Sequence, residues 1–119
     1  MDEKRIPILV GSGQITQREQ DPLVAQSPMD LTASAGFKAA DDTHIGKSIL
    51  KKLDTIVVIR SFSDTSWRFK CPFGKYSNPP LSLSKRLGAE NVNRLIYTYP
   101  GGNMPQWCVN RMFEMVTRG

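Results

Sequence analysis

An α/β fold with parallel strands is what this sequence predicts, and three observations carry the prediction. Short apolar runs rich in β-branched or aromatic residues recur at residues 6–10 (IPILV), 53–59 (LDTIVVI) and 95–99 (LIYTY). Each run is followed, directly or after a loop, by a helix-start signal and apolar residues at helical spacing. The resulting order of strand, helix, strand, helix, strand, helix, free of internal repeats and low-complexity tracts, implies parallel strands joined by right-handed crossovers. The 119 residues allow one compact domain and not two, so residues 1–119 are read as a single unit whose pattern stops where another strand is due.

In residues 6–10 the apolar side chains fall on both parities, which suits a strand covered on both faces, and Gly11-Ser12-Gly13 provides a tight exit. Residues 14–26 are polar, contain Asp21-Pro22 and predict a loop. Ser27-Pro28-Met29-Asp30 supplies a capping serine, a proline suited to the first turn and an acid three residues after the cap. The helix that starts there carries Met29, Ala33, Phe37 and Ala40 on one face, has a Gly36 that permits close approach to a sheet, and is expected to end near Asp42. Residues 45–52 show no dominant period. The β-branched run at 53–59 has the composition of a central parallel strand.

Residues 60–78 mix serines, aromatics and basic residues without either period and predict an extended loop of the kind that borders a site or an interface. Asn78-Pro79-Pro80 opens a short helix through Leu83 and Leu87, with Gly88 as its stop. The third strand, 95–99, ends at Pro100-Gly101-Gly102. Asn103 is then an N-cap candidate for a last helix in which Val109, Met112, Phe113 and Val116 form an apolar stripe, widened by Trp107, Cys108 and Met115. Such a helix wants cover on more than one side, and the isolated chain is expected to self-associate or to need a partner.

Composition excludes several classes of function. Apolar residues make up 39% and charged residues 23%, a balance that supports a packed core rather than disorder. The net charge of +5 permits attraction to anions, but the basic residues are scattered among acids and match no nucleic-acid module, so no nucleic-acid partner is expected. Two cysteines, Cys71 and Cys108, are too few for a disulfide framework and lack zinc spacing, so a reducing cytoplasmic setting and no metal are expected. No apolar run approaches the roughly 20 residues of a membrane helix, and residues 1–5 lead straight into the first strand-like run rather than a signal-peptide core. Gly11-Ser12-Gly13 lacks the third glycine of a dinucleotide fingerprint, whose place is held by Thr16. Phosphate-loop, serine-hydrolase and zinc-protease motifs are absent.

Three stretches, RIPILVGSGQITQ, SPMDLTASAGFKAADD and YTYPGGNMPQWCVNRMFEMVTRG, in that order and spacing, resemble the beginning of a thiolase-superfamily protein, in the branch related to sterol-carrier-protein thiolases. The resemblance covers nearly the whole chain, and a full member of that branch is several times longer. It implies the first-half β-α-β-α-β-α portion of a thiolase-like five-stranded mixed sheet, an incomplete N-terminal domain. It also implies acyl transfer between coenzyme A thioesters as the activity of a complete member, with acyl-CoA as substrate and no cofactor held by this portion alone.

In thiolases the third strand leads into a helix whose N-terminus presents the nucleophilic cysteine, where free N–H groups and the positive dipole end stabilise a thiolate. Laid on this sequence by counting back from Gly119, that position falls at Asn103, with Gly101, Gly102 and Met104 as the neighbouring substrate-binding positions. An amide cannot form a thioester, so the resemblance implies a portion that is inactive by itself. The alternative is a non-catalytic thiolase-like subunit that binds an acyl-CoA or a protein. Asn103 also has a structural explanation, because its side-chain oxygen suits the N–H of Gln106, Pro105 having none to offer. The family's remaining acid and base groups lie beyond the part that this chain resembles. His44, at a helix-to-loop edge, matches none of them and reads as a surface residue. Cys108 lies more than a turn into the helix in apolar company, which predicts a shielded thiol. The aromatic and basic segment 66–70, with Lys75 and Tyr76, suits either a binding or interface loop or a solvated loop pinned by aromatic anchors.

Overall fold

The computed structural model describes residues 5–119, so the expectation for residues 1–4 lies outside the described part. Three helices and two strands follow in the order α1 (Pro28–Asp42), β1 (Thr55–Val58), α2 (Pro79–Leu87), β2 (Arg94–Tyr97) and α3 (Met104–Arg118), with short 3-10 turns at Lys47–Lys52 and Phe62–Asp64. The two strands pair in parallel, Thr55 opposite Arg94 and Val58 opposite Tyr97, with α2 as the crossover between them. This is the strand, helix, strand unit that the β-branched runs predicted.

Local chemistry accounts for the helix ends. Ser27 is extended (φ −66°, ψ 157°), and its Oγ accepts the N–H of Asp30 at 3.1 Å. At α2 the Asn78 side chain accepts the N–H of Leu81 at 3.3 Å, with prolines in the first turn. Gly88 ends α2 in the left-handed region (φ 69°); its N–H donates to Lys85 O and that of Ala89 to Ser84 O, the paired bonds of a Schellman stop.

The core lies between α1, α2 and one face of the sheet. Met29, Ala33 and Ala40 of α1 meet Leu83 and Leu87 of α2, Ile56 of β1, and Leu50 and Ala89. Gly36 serves a different neighbour from the one expected: a Cβ there would stand 2.8 Å from Leu87 Cδ2, so its small size lets α1 close on α2 rather than on the sheet. On the sheet, Ile56, Val58 and Leu95 point into this core, whereas Val57 and Ile96 face α3 across a cleft that Cys108 and Met115 also line.

One strand expectation fails. Residues 6–10 form no strand, and Ile8 and Leu9 are 74% and 79% exposed. A strand needs a ladder partner, and Pro7 has no N–H to contribute. The segment instead runs over helices: Arg5 Nη1 donates to Arg118 O at 3.1 Å, Pro7 borders a cleft with Phe113 and Thr117, and Gly11 and Gly13 lie so close to Ala35 and Ala39 of α1 that no Cβ fits. Close helix approach, more than a tight exit, is what those glycines permit. The apolar stripe of α3, for which cover from a second copy or a partner is expected, is uncovered in the single chain. Val109, Met112, Phe113 and Val116 are all exposed, and α3 docks through Met104 and Cys108, its buried residues.

Candidate functional site

The site that the sequence singled out lies where β2 runs out and α3 begins. Gly101 turns the chain with φ 143°, a conformation that side-chain-bearing residues rarely adopt, and its carbonyl accepts the N–H of Met104 at 3.2 Å. Asn103 follows in a helix-like conformation (φ −83°, ψ −13°), and its backbone carbonyl accepts the N–H of Trp107 at 3.2 Å.

That conformation overturns the capping explanation. Side-chain capping requires an extended cap residue whose oxygen reaches over the first turn, as Ser27 does. The Asn103 side chain makes no capping bond; its Oδ1 lies back over Gly101, 2.8 Å from where a Cβ would stand. Gly102 is exposed and has open space around it, while Met104 is buried. Gly101, Gly102, Asn103 and Met104 are thus brought together at one solvent-facing helix start, with Met104 as its anchor. The amides of the first turn are left without a side-chain acceptor from Asn103.

Cys108 is buried on the face of α3 turned to Val57 and Ile96, as its apolar neighbours predicted. His44 is exposed and holds a left-handed backbone (φ 63°) just after α1, as a surface turn residue does. Among the described residues no group of three or more histidine, cysteine, aspartate or glutamate side chains could hold a metal ion, and no helix is long and apolar enough to cross a membrane.

A second polar cluster lies at the carboxyl ends of β1 and β2, on the sheet face that carries α1 and α2. Tyr97 Oη donates to Asp64 Oδ2 at 2.6 Å, Arg60 stands 3.7 Å from the same carboxylate, and the Arg60 guanidinium lies over the Tyr97 ring at 4.4 Å. Burial, and then the bond to Asp64, push the Tyr97 phenol above its ordinary pKa, so it stays protonated and donating. Arg60 Nε also donates to Thr98 O at 3.3 Å, which ties the start of the 60–78 loop to the end of β2. Beneath this loop is a cavity of about 130 Å³, lined by Met29, Val58, Phe73 and Tyr97 among apolar groups and by Asp64, Cys71 and Lys75 among polar ones. Sequence reasoning flagged the loop but not the network, because nothing in the spacing of Arg60, Asp64 and Tyr97 shows that β2 brings the tyrosine beside the acid. Trp67 and Arg68, the centre of the aromatic and basic segment, stay at the surface, Trp67 76% exposed.

This is a partial thiolase-like α/β fold. Among solved structures it matches the crystal structure of a monomeric SCP2-thiolase like protein type 1 from Mycobacterium smegmatis, with a TM-score of 0.76 at 23% sequence identity. The match covers 98% of this chain and 22% of that protein, so the chain spans about a fifth of its length. No protein-family model matches the chain, and no curated protein does.

Proposed function

We propose that this chain is a thiolase-like portion of an acyl-CoA acyltransferase in which the start of α3 has lost the thioester-forming step. The carrying observation is Asn103. It stands at the helix start that follows a parallel strand, is exposed, and has no capping bond that would explain an amide there. A carboxamide at that place can hydrogen-bond a thioester oxygen or a thiol but cannot displace a thiolate. Claisen condensation or thiolysis also needs a base for the nucleophile, an acid or base for the second substrate and an oxyanion site, and the sole histidine, His44, lies in the turn just after the C-terminal end of α1. In this reading an acyl-CoA is the ligand class, the cytoplasm is the setting, and the chain acts together with further polypeptide, a second copy or the remainder of a thiolase-like protein.

The test is to supply acetoacetyl-CoA and free coenzyme A to the Asn103→Cys protein and to follow loss of the substrate's enolate absorbance. The expected result is slow acylation without turnover. Repeated turnover above a no-protein control would overturn the reading.

The exposed apolar residues of α3, Val109, Met112, Phe113 and Val116, favour a second reading, a non-catalytic thiolase-like subunit that binds protein through this helix. Sedimentation is expected to show self-association, and a stable monomer with a cooperative melt counts against it.

A further inference from the structure

The cavity under the 60–78 loop has the size, sign and position of a small-ligand site, and it lies on the opposite face of the sheet from α3. Its volume of about 130 Å³ approaches the ~150 Å³ of a cavity known to hold benzene. A six-membered ring or a short carbon chain therefore fills it. The body of the cavity is apolar, formed by Met29 of α1, Val58 of β1 and Phe73 of the loop. It opens at the carboxyl ends of two parallel strands, the edge at which open α/β sheets receive ligands.

Charge sets the rest. Asp64 is the cavity's acid, and it is already engaged by the Tyr97 hydroxyl and by Arg60. Tyr97 holds its proton. Lys75 is exposed at the rim and takes part in no ion pair among the described residues. The first turns of α1 and α2, at Pro28 and Pro79, also border the cavity, each already capped by a side chain, Ser27 and Asn78. An apolar body with a cation at its mouth that is unpaired among the described residues selects a molecule of matching form.

We propose that this cavity binds a small monocarboxylate with a compact apolar body, benzoate-sized, the ring against Met29, Val58 and Phe73 and the carboxylate at Lys75. The inference is independent of the acyl-transfer reading, since it uses neither Asn103 nor any thioester chemistry.

Cys71 lines the same cavity and is half-buried, whereas Cys108 is buried elsewhere, so alkylation of Cys71 by iodoacetamide reports occupancy. The 119-residue chain is treated with reagent in the presence of benzoate, of benzyl alcohol, or of sodium sulfate at equal ionic strength. Benzoate in the millimolar range is expected to slow labelling, benzyl alcohol to slow it less, and sulfate to leave it unchanged. Lys75→Gln is expected to raise the benzoate concentration needed by about tenfold, the loss of one charge-assisted contact, while leaving protection by benzyl alcohol as it was. Val58→Phe fills the cavity and should abolish protection by both. Phe73→Ala, which removes a wall without touching the α1–α2 core, should weaken both, and it decides the matter if Val58→Phe does not fold. Labelling indifferent to benzoate, protection by sulfate equal to that by benzoate, or benzoate protection unchanged in both Lys75→Gln and Phe73→Ala would each overturn the proposal.

Discussion

The starts of α1 and α3 are built from similar ingredients and end differently. Both have a small polar residue before the helix and a proline in the first turn. At α1 the cap residue is extended, Ser27 Oγ holds the Asp30 N–H, Asp30 in turn pairs with Arg86 of α2 at 2.9 Å, and Met29 is buried behind them. At α3 the cap residue is already helical, its side chain leans back over Gly101, and the apolar face beyond it stays open. One helix start is closed by local bonds and neighbouring side chains. The other keeps its first-turn donors and dipole end without side-chain compensation. A helix start left open at a stability cost of about 1 kcal/mol is a site to be tested for function before it is read as a defect.

The largest expected contrast is chemical. Cysteine at position 103 should alkylate faster than Cys108 by about tenfold or more, because it combines exposure with the dipole end while Cys108 is buried. Equal rates, measured by mass spectrometry on the native protein, would mean that the start of α3 is as closed as that of α1. Truncation comes next. Met29→Ala at the closed end should cost about 2–5 kcal/mol in chemical denaturation, whereas Val116→Ala on the open stripe of α3 should change the stability of the unassociated chain by less than about 0.5 kcal/mol.

Removal of the caps sharpens the comparison further. Ser27→Ala should cost about 1 kcal/mol, and Asn103→Ala should stay within about 0.5 kcal/mol because there is no capping bond to lose. If the two cost the same, Asn103 is a working cap in solution. The smallest effect belongs to Asp30. Its hydrogen bonds from Arg86 and then Ser27 hold the carboxyl below its ordinary pKa. A depressed folded pKa contributes stability that is present above the ordinary carboxylate range and is lost as pH falls through the depressed value. Asp30→Asn should therefore flatten the acid limb of the stability profile slightly and leave neutral pH little changed, because the pair is exposed to solvent.

How much could be read in advance varied along the chain with the range of the interactions involved. The boundaries of α1 and α2 were legible because Ser27, Asn78 and Gly88 act on backbone groups only a few residues away. The strand at Thr55–Val58 was legible from its β-branched run, and β2 began one residue earlier and ended two residues earlier than expected. Residues 6–10 looked equally strand-like, yet their composition could not say whether a ladder partner would lie beside them, and Gly11 and Gly13 bring the chain onto α1 instead. At the candidate site the sequence placed Gly101, Gly102, Asn103 and Met104 at a helix start but misjudged what Asn103 does there, since capping depends on the φ and ψ of one residue.

By itself, then, the sequence determined the α/β class, the starts and stops of the helices, the shielding of Cys108 and the amide at the head of α3, all of which follow from local backbone chemistry and apolar periodicity. Only the tertiary structure decided which face of α3 docks, that Gly36 serves α2, and that Tyr97, Asp64 and Arg60 meet beside an apolar cavity. Those outcomes depend on contacts between residues that are distant along the chain, such as Tyr97 Oη to Asp64 across 33 positions, and periodicity within one element carries no information about them.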